Sequence, residues 1–388
     1  MAKTARIHRI KMSEALVRSI LSKQKAERIL QHQDEYLIID VDQRVAYDVL
    51  NIAYGIYSPL DHLMDTEEIL YVAKKVELPS GAVFSLPIFL DVREEDAERI
   101  REEDIILLRY NGKTFAMIVA PEVEQLSNKA IIAEKIFKTR DLEHPGVRYL
   151  YQSDPMIVSG KVILLQDVDR GSLLSDPLIT RAIFKAYGWR TIAGFQTRNV
   201  PHIGHETIIR TALEQVDAVF INPVIGRKKR GDWTDEAIVK PWWTLINNYL
   251  PRDRTYFALL RYVMRYAGPR EALHHAIMRK NLGCTHFIIG RDHAGVGSYY
   301  KPYEAQEFVK QYADQIGIEI IEMREFFYCK KCRMIVSDRT CPHSDSDRIR
   351  FSGTLIRRML VERKQPDEHI FRKEIYEVVS RLKNPFIE

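Results

Sequence analysis

Apolar positions change their rhythm about 165 residues into the chain. Before that point they come in short runs. Ser13 to Gln31 carries a broken stripe of Leu16, Ile20, Ala26 and Ile29 at helical spacing. Tyr36 to Asp40 reads as a short buried strand. Further strands are predicted over Ala82 to Leu86, Ile88 to Val92, Ile105 to Arg109 and Thr114 to Val119. Tyr110-Asn111-Gly112-Lys113 joins the last two, and Asn-Gly is a strong hairpin signal because both residues tolerate positive φ. Many short strands with few helices predict a small barrel-like mixed domain, left by the segment Arg148 to Val168.

From about residue 169 strands alternate with helices, the pattern of a parallel sheet. Thr191 to Phe195 is a strand, and a helix runs from about 203 to 215 with Ile208, Ile209, Ala212, Leu213 and Val216 on its buried stripe. Asp217 to Ile225 is almost wholly apolar, as a strand covered on both faces should be. Pro269 to Asn281 is a helix opened by Pro269 and stopped by Gly283. Thr285 to Gly290 is the next buried strand. A small third region from about 326 holds the cysteines, the run Phe351 to Arg357 and a charged terminal helix. The divisions expected are therefore 1–167, 168–325 and 326–388.

A net charge of +5 is too mild to demand nucleic acid but suits small anionic substrates. No run of 18 apolar residues suggests a membrane span, and the basic stretch Met1 to Met12 lacks the apolar core of a secretory signal. A cytoplasmic location is the default. Three of the four cysteines fall between 329 and 341, which points to a metal site rather than a disulfide framework.

The chemistry is densest in Gln196-Thr197-Arg198-Asn199-Val200-Pro201-His202-Ile203-Gly204-His205-Glu206. The run lies between a buried strand and a helix, where open α/β sheets bind ligands. N–H groups at a helix start bind phosphate, Gly204 permits close backbone approach, and His202 and His205 can donate to the oxygens of a departing pyrophosphate. Arg198 offers a planar fork for a tetrahedral oxyanion, with Gln196 beside it. A bare His-x-x-His is usually an ordinary surface or core pair; the surrounding loop is what makes it chemical. Gly290-Arg291-Asp292-His293-Ala294-Gly295 leaves a second buried strand and can meet the first loop at the sheet edge. Met264 to Arg270, Lys228-Lys229-Arg230 and Ser352-Gly353-Thr354 with Arg357 are weaker candidates, for which solvated charge or helix capping serves as well.

Taken together, the runs Gln196 to Glu206, Gly290 to Gly295, Met264 to Ala272 and Ser352 to Arg357 resemble those of the ATP sulfurylases (sulfate adenylyltransferases). Gly55 to Leu60 and His144 to Val147 resemble that family's N-terminal region, so the likeness spans nearly the whole chain. It implies an α/β protein with a PUA-like mixed-β N-terminal domain, a Rossmann-like nucleotidyltransferase domain on a parallel sheet, and a small C-terminal region. It implies that ATP and sulfate give adenosine 5′-phosphosulfate and pyrophosphate, with Mg²⁺ accompanying the nucleotide. Carried over by motif, Gln196, Arg198 and the N–H of Ala294 would hold sulfate. Thr197 and Asn199 would hold the α-phosphate region, with Gln196 also bordering the nucleotide. His202 and His205 would face the β and γ phosphates, and Gly290, Arg291, Asp292 and His293 the nucleotide. A homodimer is what relatives suggest. Val200 stands where the family usually has proline, which removes a fixed φ. Nothing kinase-like is seen, so phosphorylation of the product is not expected.

Cys329-x2-Cys332-x8-Cys341-x-His343 supplies three thiolates and an imidazole, a set suited to structural tetrahedral Zn²⁺, although the Cys-x-His end is tighter than the commoner spacing. Cys284, at a strand start, reads as a small core residue. Two other readings compete: a different His-x-Gly-His nucleotidyltransferase, and an RNA-binding protein made of a PUA-like domain and a zinc ribbon. The Gln-Thr-Arg-Asn run opposes the first, and the absence of an aromatic-basic stacking motif opposes the second.

Overall fold

The computed structural model describes residues 15–169, 171, 173–226, 231–351, 353–362, 364 and 367–387. The described residues fall into two compact units. One is drawn from 1–170, 265–282 and 292–319, the other from 171–264, 283–291 and 320–388.

In the first unit a six-stranded sheet runs in the order Leu37–Asp40, Ile105–Tyr110, Lys113–Gln125, Met156–Leu164, His62–Leu63, with Leu90–Val92 also on Met156–Leu164. The Asn111-Gly112 hairpin forms as expected, with φ of 50° and 75°. Four expectations need correction. The first helix covers only Lys23–Gln31; upstream, Ile20 bridges to Leu164 and Leu21 donates to the Leu164 carbonyl, so that stretch extends the sheet instead. Residues 82–86 form no strand, only one bridge from Glu77 to Val83, and 88–92 shortens to Leu90–Val92. Nor is the domain poor in helices: Gln43–Ala53, Thr66–Lys75, Glu94–Ile100, Lys129–Phe137 and Pro145–Gln152 are all helical. Two of these open on an aspartate cap. Asp42 accepts from the Val45 N–H and Asp65 from the Glu68 N–H.

The helix Pro269–Asn281 also belongs to this unit and is buried almost throughout. The two arginines near its start face protein rather than solvent. Arg265 donates to Asp48 at 2.7 Å with both side chains nearly fully buried, and Tyr57 donates to the same carboxylate at 2.8 Å. Arg270 donates to the Val72 and Ala73 carbonyls.

In the second unit the strands β1 (Ile192–Phe195), β2 (Ala218–Ile221), β3 (Thr255–Phe257), β4 (His286–Ile289) and β5 (Glu319–Glu322) form one sheet in the order β3-β2-β1-β4-β5. The β1–β2, β2–β3 and β1–β4 pairs are parallel. All side chains of β1 and β2 are buried, matching their apolar sequence. The stretch 217–225 is not one strand. It breaks at Asn222-Pro223, because proline has no N–H for the ladder and Asn222 is drawn aside to donate to Ser175 and Ala258. Helix α1 (Ile203–Leu213) follows β1 and buries Ile209, Ala212 and Leu213 against a core shared with α2 (Asp235–Tyr249). A three-stranded antiparallel sheet of β6 (Phe326–Cys329), β7 (Met334–Ser337) and β8 (Arg348–Arg350), in the order β7-β6-β8, completes the unit with the terminal helices. Among the described residues no helix is long and apolar enough to cross a membrane.

Breaking the Asp48–Arg265 pair from one side would leave a buried guanidinium without its anion. Asp48→Ala should therefore cost about 3–5 kcal/mol in urea unfolding. A cost near zero would show that the pair does not organise the first unit.

Candidate active site

The order β3-β2-β1-β4-β5 reverses direction between β1 and β4. At such a switch point the chain leaves neighbouring parallel strands towards opposite sides, and a crevice opens at their carboxyl ends. Both loops chosen from sequence begin there: Gln196 directly follows β1 and Gly290 directly follows β4.

The first loop is braced at every turn. Thr197 is buried; its hydroxyl accepts from the Asn199 N–H at 3.1 Å and its carbonyl accepts from the Val224 N–H at 2.9 Å. Asn199 offers its carbonyl to the Trp242 indole N–H at 3.0 Å, and Val200 lies in the core at 1% exposure. Packing therefore holds Val200 in place without the fixed φ of a proline. Gln196 places its amide nitrogen 3.9 Å from the Met264 sulfur and leaves its buried Oε1 without a partner. Whichever way that amide is turned, one buried polar atom is left for a ligand. Arg198 is half-buried on the same loop.

His202 caps α1: its Nδ1 accepts from the His205 N–H. In a neutral ring the proton must then sit on Nε2, which makes that nitrogen a donor. The His202 and His205 rings stack with centroids 3.8 Å apart at 22°. His205 also meets Phe195 at 5.8 Å and Trp242 at 5.9 Å, and its Nδ1 is buried without a partner. Burial, with the neighbouring imidazole adding to it, pushes the His202 pKa well below its usual range. Burial lowers His205 to about 4 against the pull of the Val200 carbonyl. Both rings are thus neutral at pH 7 and bring hydrogen bonds rather than charge.

Sequence reasoning missed the groups that hold this helix in place. Glu206 is 3% exposed and accepts from Arg210 Nε at 3.0 Å and from Arg372 Nε and Nη2 at 3.1 and 3.0 Å. An acidic residue in a helix's first turn was the available signal; its partner Arg372 lies 166 positions away, and no local pattern marks it.

The second loop is divided between the units. Gly290 and Arg291 fall in the second, where Arg291 reaches Glu325 at 3.4 Å. Asp292, His293 and Ala294 fall in the first. There Asp292 and Ala294 both take left-handed backbone, φ 53° and 57°, a strained arrangement for two non-glycine residues. Asp292 N–H donates to the Pro302 carbonyl at 2.7 Å, and the Ala294 carbonyl accepts from the Gly268 N–H at 3.1 Å. His293 lies 3.1 Å from the buried His275, ring nitrogen to ring nitrogen. Asp292, His293, Gly295, Tyr300 and Lys301 line a cavity of about 110 Å³.

The comparisons with known proteins decide the family. The ATP-sulfurylase family model matches residues 172–382, and a PUA-like domain model matches 10–167. The sulfate adenylyltransferase of Pyrococcus abyssi is 44% identical over 96% of this chain and 98% of its own length. That of Hyperthermus butylicus is 45% identical over 96% of each. The chain belongs to the ATP-sulfurylase family. A solved structure, hexameric APS kinase from Thiobacillus denitrificans, superposes with a TM-score of 0.77 at 20% identity, covering 97% of this chain and 69% of that one, and shows the shared fold alone.

In this ATP-sulfurylase family member the weaker candidates divide. Arg265 and Arg270 are engaged with protein groups, as described above. Arg357 pairs with Asp232 at 3.3 Å beside the Trp233 ring. Lys228, Lys229, Arg230 and Ser352 lie outside the described residues.

The second unit also brings Cys329, Cys332, Cys341 and His343 together, all four ligand atoms within 4.8 Å of one another. Cys332 and Cys341 sulfurs are 3.8 Å apart, and His343 Nδ1 lies 3.4, 3.2 and 3.6 Å from Cys329, Cys332 and Cys341. A tetrahedral zinc ion with bonds of about 2.3 Å to sulfur and about 2.05 Å to nitrogen requires edges of about 3.8 and 3.5 Å. The donor set therefore fits zinc, with His343 as the fourth ligand despite its tight spacing. Burial raises the Cys329 thiol, but hydrogen bonding from the Cys332 N–H and its neighbours outweighs this and draws it down to about 6. Cys284 is buried in the core.

Two measurements follow. Purified protein should carry about one zinc per chain, and Cys332→Ser should lose it; metal-free wild-type protein of unchanged stability would refute a structural site. In an NMR titration the His205 Cε1–H should move with a midpoint near 4, and a midpoint near 6.5 would contradict the half-buried neutral pair. The lowered value also means that the folded chain binds this proton more weakly than the unfolded one. Its stabilising share is present above the ordinary histidine value of about 6.5 and is lost as pH falls through the folded value.

Proposed function

We infer that this chain carries out the reaction of its family, ATP plus sulfate giving adenosine 5′-phosphosulfate and pyrophosphate, by in-line attack of a sulfate oxygen on the α-phosphorus. The observation that carries the reading is the first loop: an orphaned Gln196 amide and the Arg198 guanidinium at one end, the neutral His202 donor stacked on neutral His205 at the other, all leaving the carboxyl end of β1 at the switch point. Sulfate takes the Gln196 and Arg198 end, with the Ala294 N–H as a further donor. Thr197 and Asn199 border the α-phosphate. His202 and His205 face the departing pyrophosphate, and Gly290, Arg291, Asp292 and His293 the rest of the nucleotide.

Nucleotidyl transfer of this kind asks the protein mainly to position groups and stabilise charge. Neutral imidazoles suit that role, since an N–H donor stabilises developing charge without holding the product as a fixed cation would. Mg²⁺ enters with the nucleotide and supplies neutralisation of the phosphates. Zinc at Cys329, Cys332, Cys341 and His343 is structural, because four protein ligands leave no open position for substrate. The protein acts as a cytoplasmic homodimer.

Pyrophosphate release from ATP should depend on added sulfate, and release indifferent to sulfate would overturn the reading. Arg198→Ala should lower kcat/KM for sulfate by at least about 100-fold, the loss of a charged bidentate contact, with the fold intact. Near-normal turnover would remove Arg198 from the sulfate site.

A further inference from the structure

The chemistry above makes no use of Phe351, although its ring lies against the reacting loop. β8 delivers it there. Arg348 of β8 pairs with Cys329 and Arg350 with Phe327 across β6. The Arg348 guanidinium donates to the His343 carbonyl at 2.9 Å and lies over the Phe327 ring at 4.4 Å. The start of β8 is thus tied to the segment bearing His343, and the next residue beyond its end is Phe351.

There the Phe351 ring meets His202, centroids 5.7 Å apart and planes 30° apart. His202 in turn stacks on His205, and His205 rests on Phe195 and Trp242. The histidine pair is therefore enclosed between aromatic rings, with Phe351 on the His202 side. Gly204 shows how closely the rings shut. A β carbon at that position would lie 2.8 Å from Phe351 Cδ2 and 2.9 Å from His202 Cε1, distances at which the rings would have to move apart.

The polar restraint on His202 is weak by comparison. Its Nδ1 accepts the His205 N–H at 3.4 Å, long for a hydrogen bond. Such a contact selects the tautomer but leaves the ring free to tilt. A flat aromatic face beside it removes that tilt, and an aliphatic side chain of similar volume would not.

We propose that Phe351 is a positioning residue, fixing the angle at which His202 presents its Nε2–H to the departing pyrophosphate and coupling the cysteine-bearing sheet to the reacting loop. This rests on the assignment of His202 to pyrophosphate made above. Phe351 touches no reacting atom; it acts through His202.

The test compares Phe351→Leu, Phe351→Tyr and His202→Ala in the full-length enzyme. Phe351→Leu should lower kcat by about 10- to 100-fold, the scale of an ångström-level misplacement. It should weaken product inhibition by pyrophosphate and leave the KM for sulfate unchanged. Phe351→Tyr, which keeps the flat ring, should restore both. A purely structural role would lower the melting temperature or the active fraction without separating pyrophosphate from sulfate. In the wild-type protein an NOE between the Phe351 ring and His202 Cε1–H should be present, and Phe351→Leu should shift that His202 resonance. If His202→Ala is crippled while Phe351→Leu keeps wild-type kcat and pyrophosphate inhibition, the proposal is overturned and the pyrophosphate assignment stands. If His202→Ala itself behaves as wild type, the assignment falls and the proposal with it. Should the leucine variant fail to fold, the absence of the wild-type NOE is sufficient to refute the contact.

Discussion

Everything chemical in the second unit depends on one topological constraint. β1 and β4 are parallel neighbours, yet the chain proceeds from β1 to β2 on one side and from β4 to β5 on the other. At such a switch point the carboxyl ends of the two strands are left open. The loop that follows β1 runs directly into α1. The sequence places Gln196, Arg198 and two imidazoles there, so that polar groups of two kinds suited to anions lie within one eleven-residue stretch.

The histidines achieve their role through burial. Stacked rings, with Trp242 and Phe195 on one side and Phe351 on the other, keep both imidazoles neutral. In the proposed reading neutrality matters because the same loop would admit sulfate at the Arg198 end. A pair of fixed imidazolium charges would attract either anion to either end, whereas neutral rings would leave charge recognition to Arg198. Glu206 joins α1 to Arg372, tying that helix to the terminal part of the chain.

Much of the second unit could be read locally. An apolar run, a polar loop and a 3.6-residue stripe gave β1, the loop and α1 nearly in register, and helix Pro269–Asn281 was bounded by its own proline and glycine. The first unit was less legible. Its helices 43–53 and 66–75 announce themselves by Asp42 and Asp65 caps, signals outweighed in reading by the strand-like runs around them. The apolar residues Leu16 and Ile20 imitated a helix because strand-edge and helix-face spacings coincide over so short a stretch. What supports the site was invisible for a different reason: Glu206 with Arg372, Asn199 with Trp242 and His202 with Phe351 join residues from 43 to 166 positions apart, and no periodicity carries that information. The cysteine cluster was legible because chemistry, not packing, dictates its composition.

A crystal structure of the protein with adenosine 5′-phosphosulfate and pyrophosphate tests the two-anion site most directly. The account predicts the sulfo group on the Arg198 guanidinium and the Gln196 amide, with pyrophosphate against the Nε2 of His202 and beside His205, at the carboxyl ends of β1 and β4. Pyrophosphate bound away from the histidine pair, or the sulfo group away from Arg198, would contradict it.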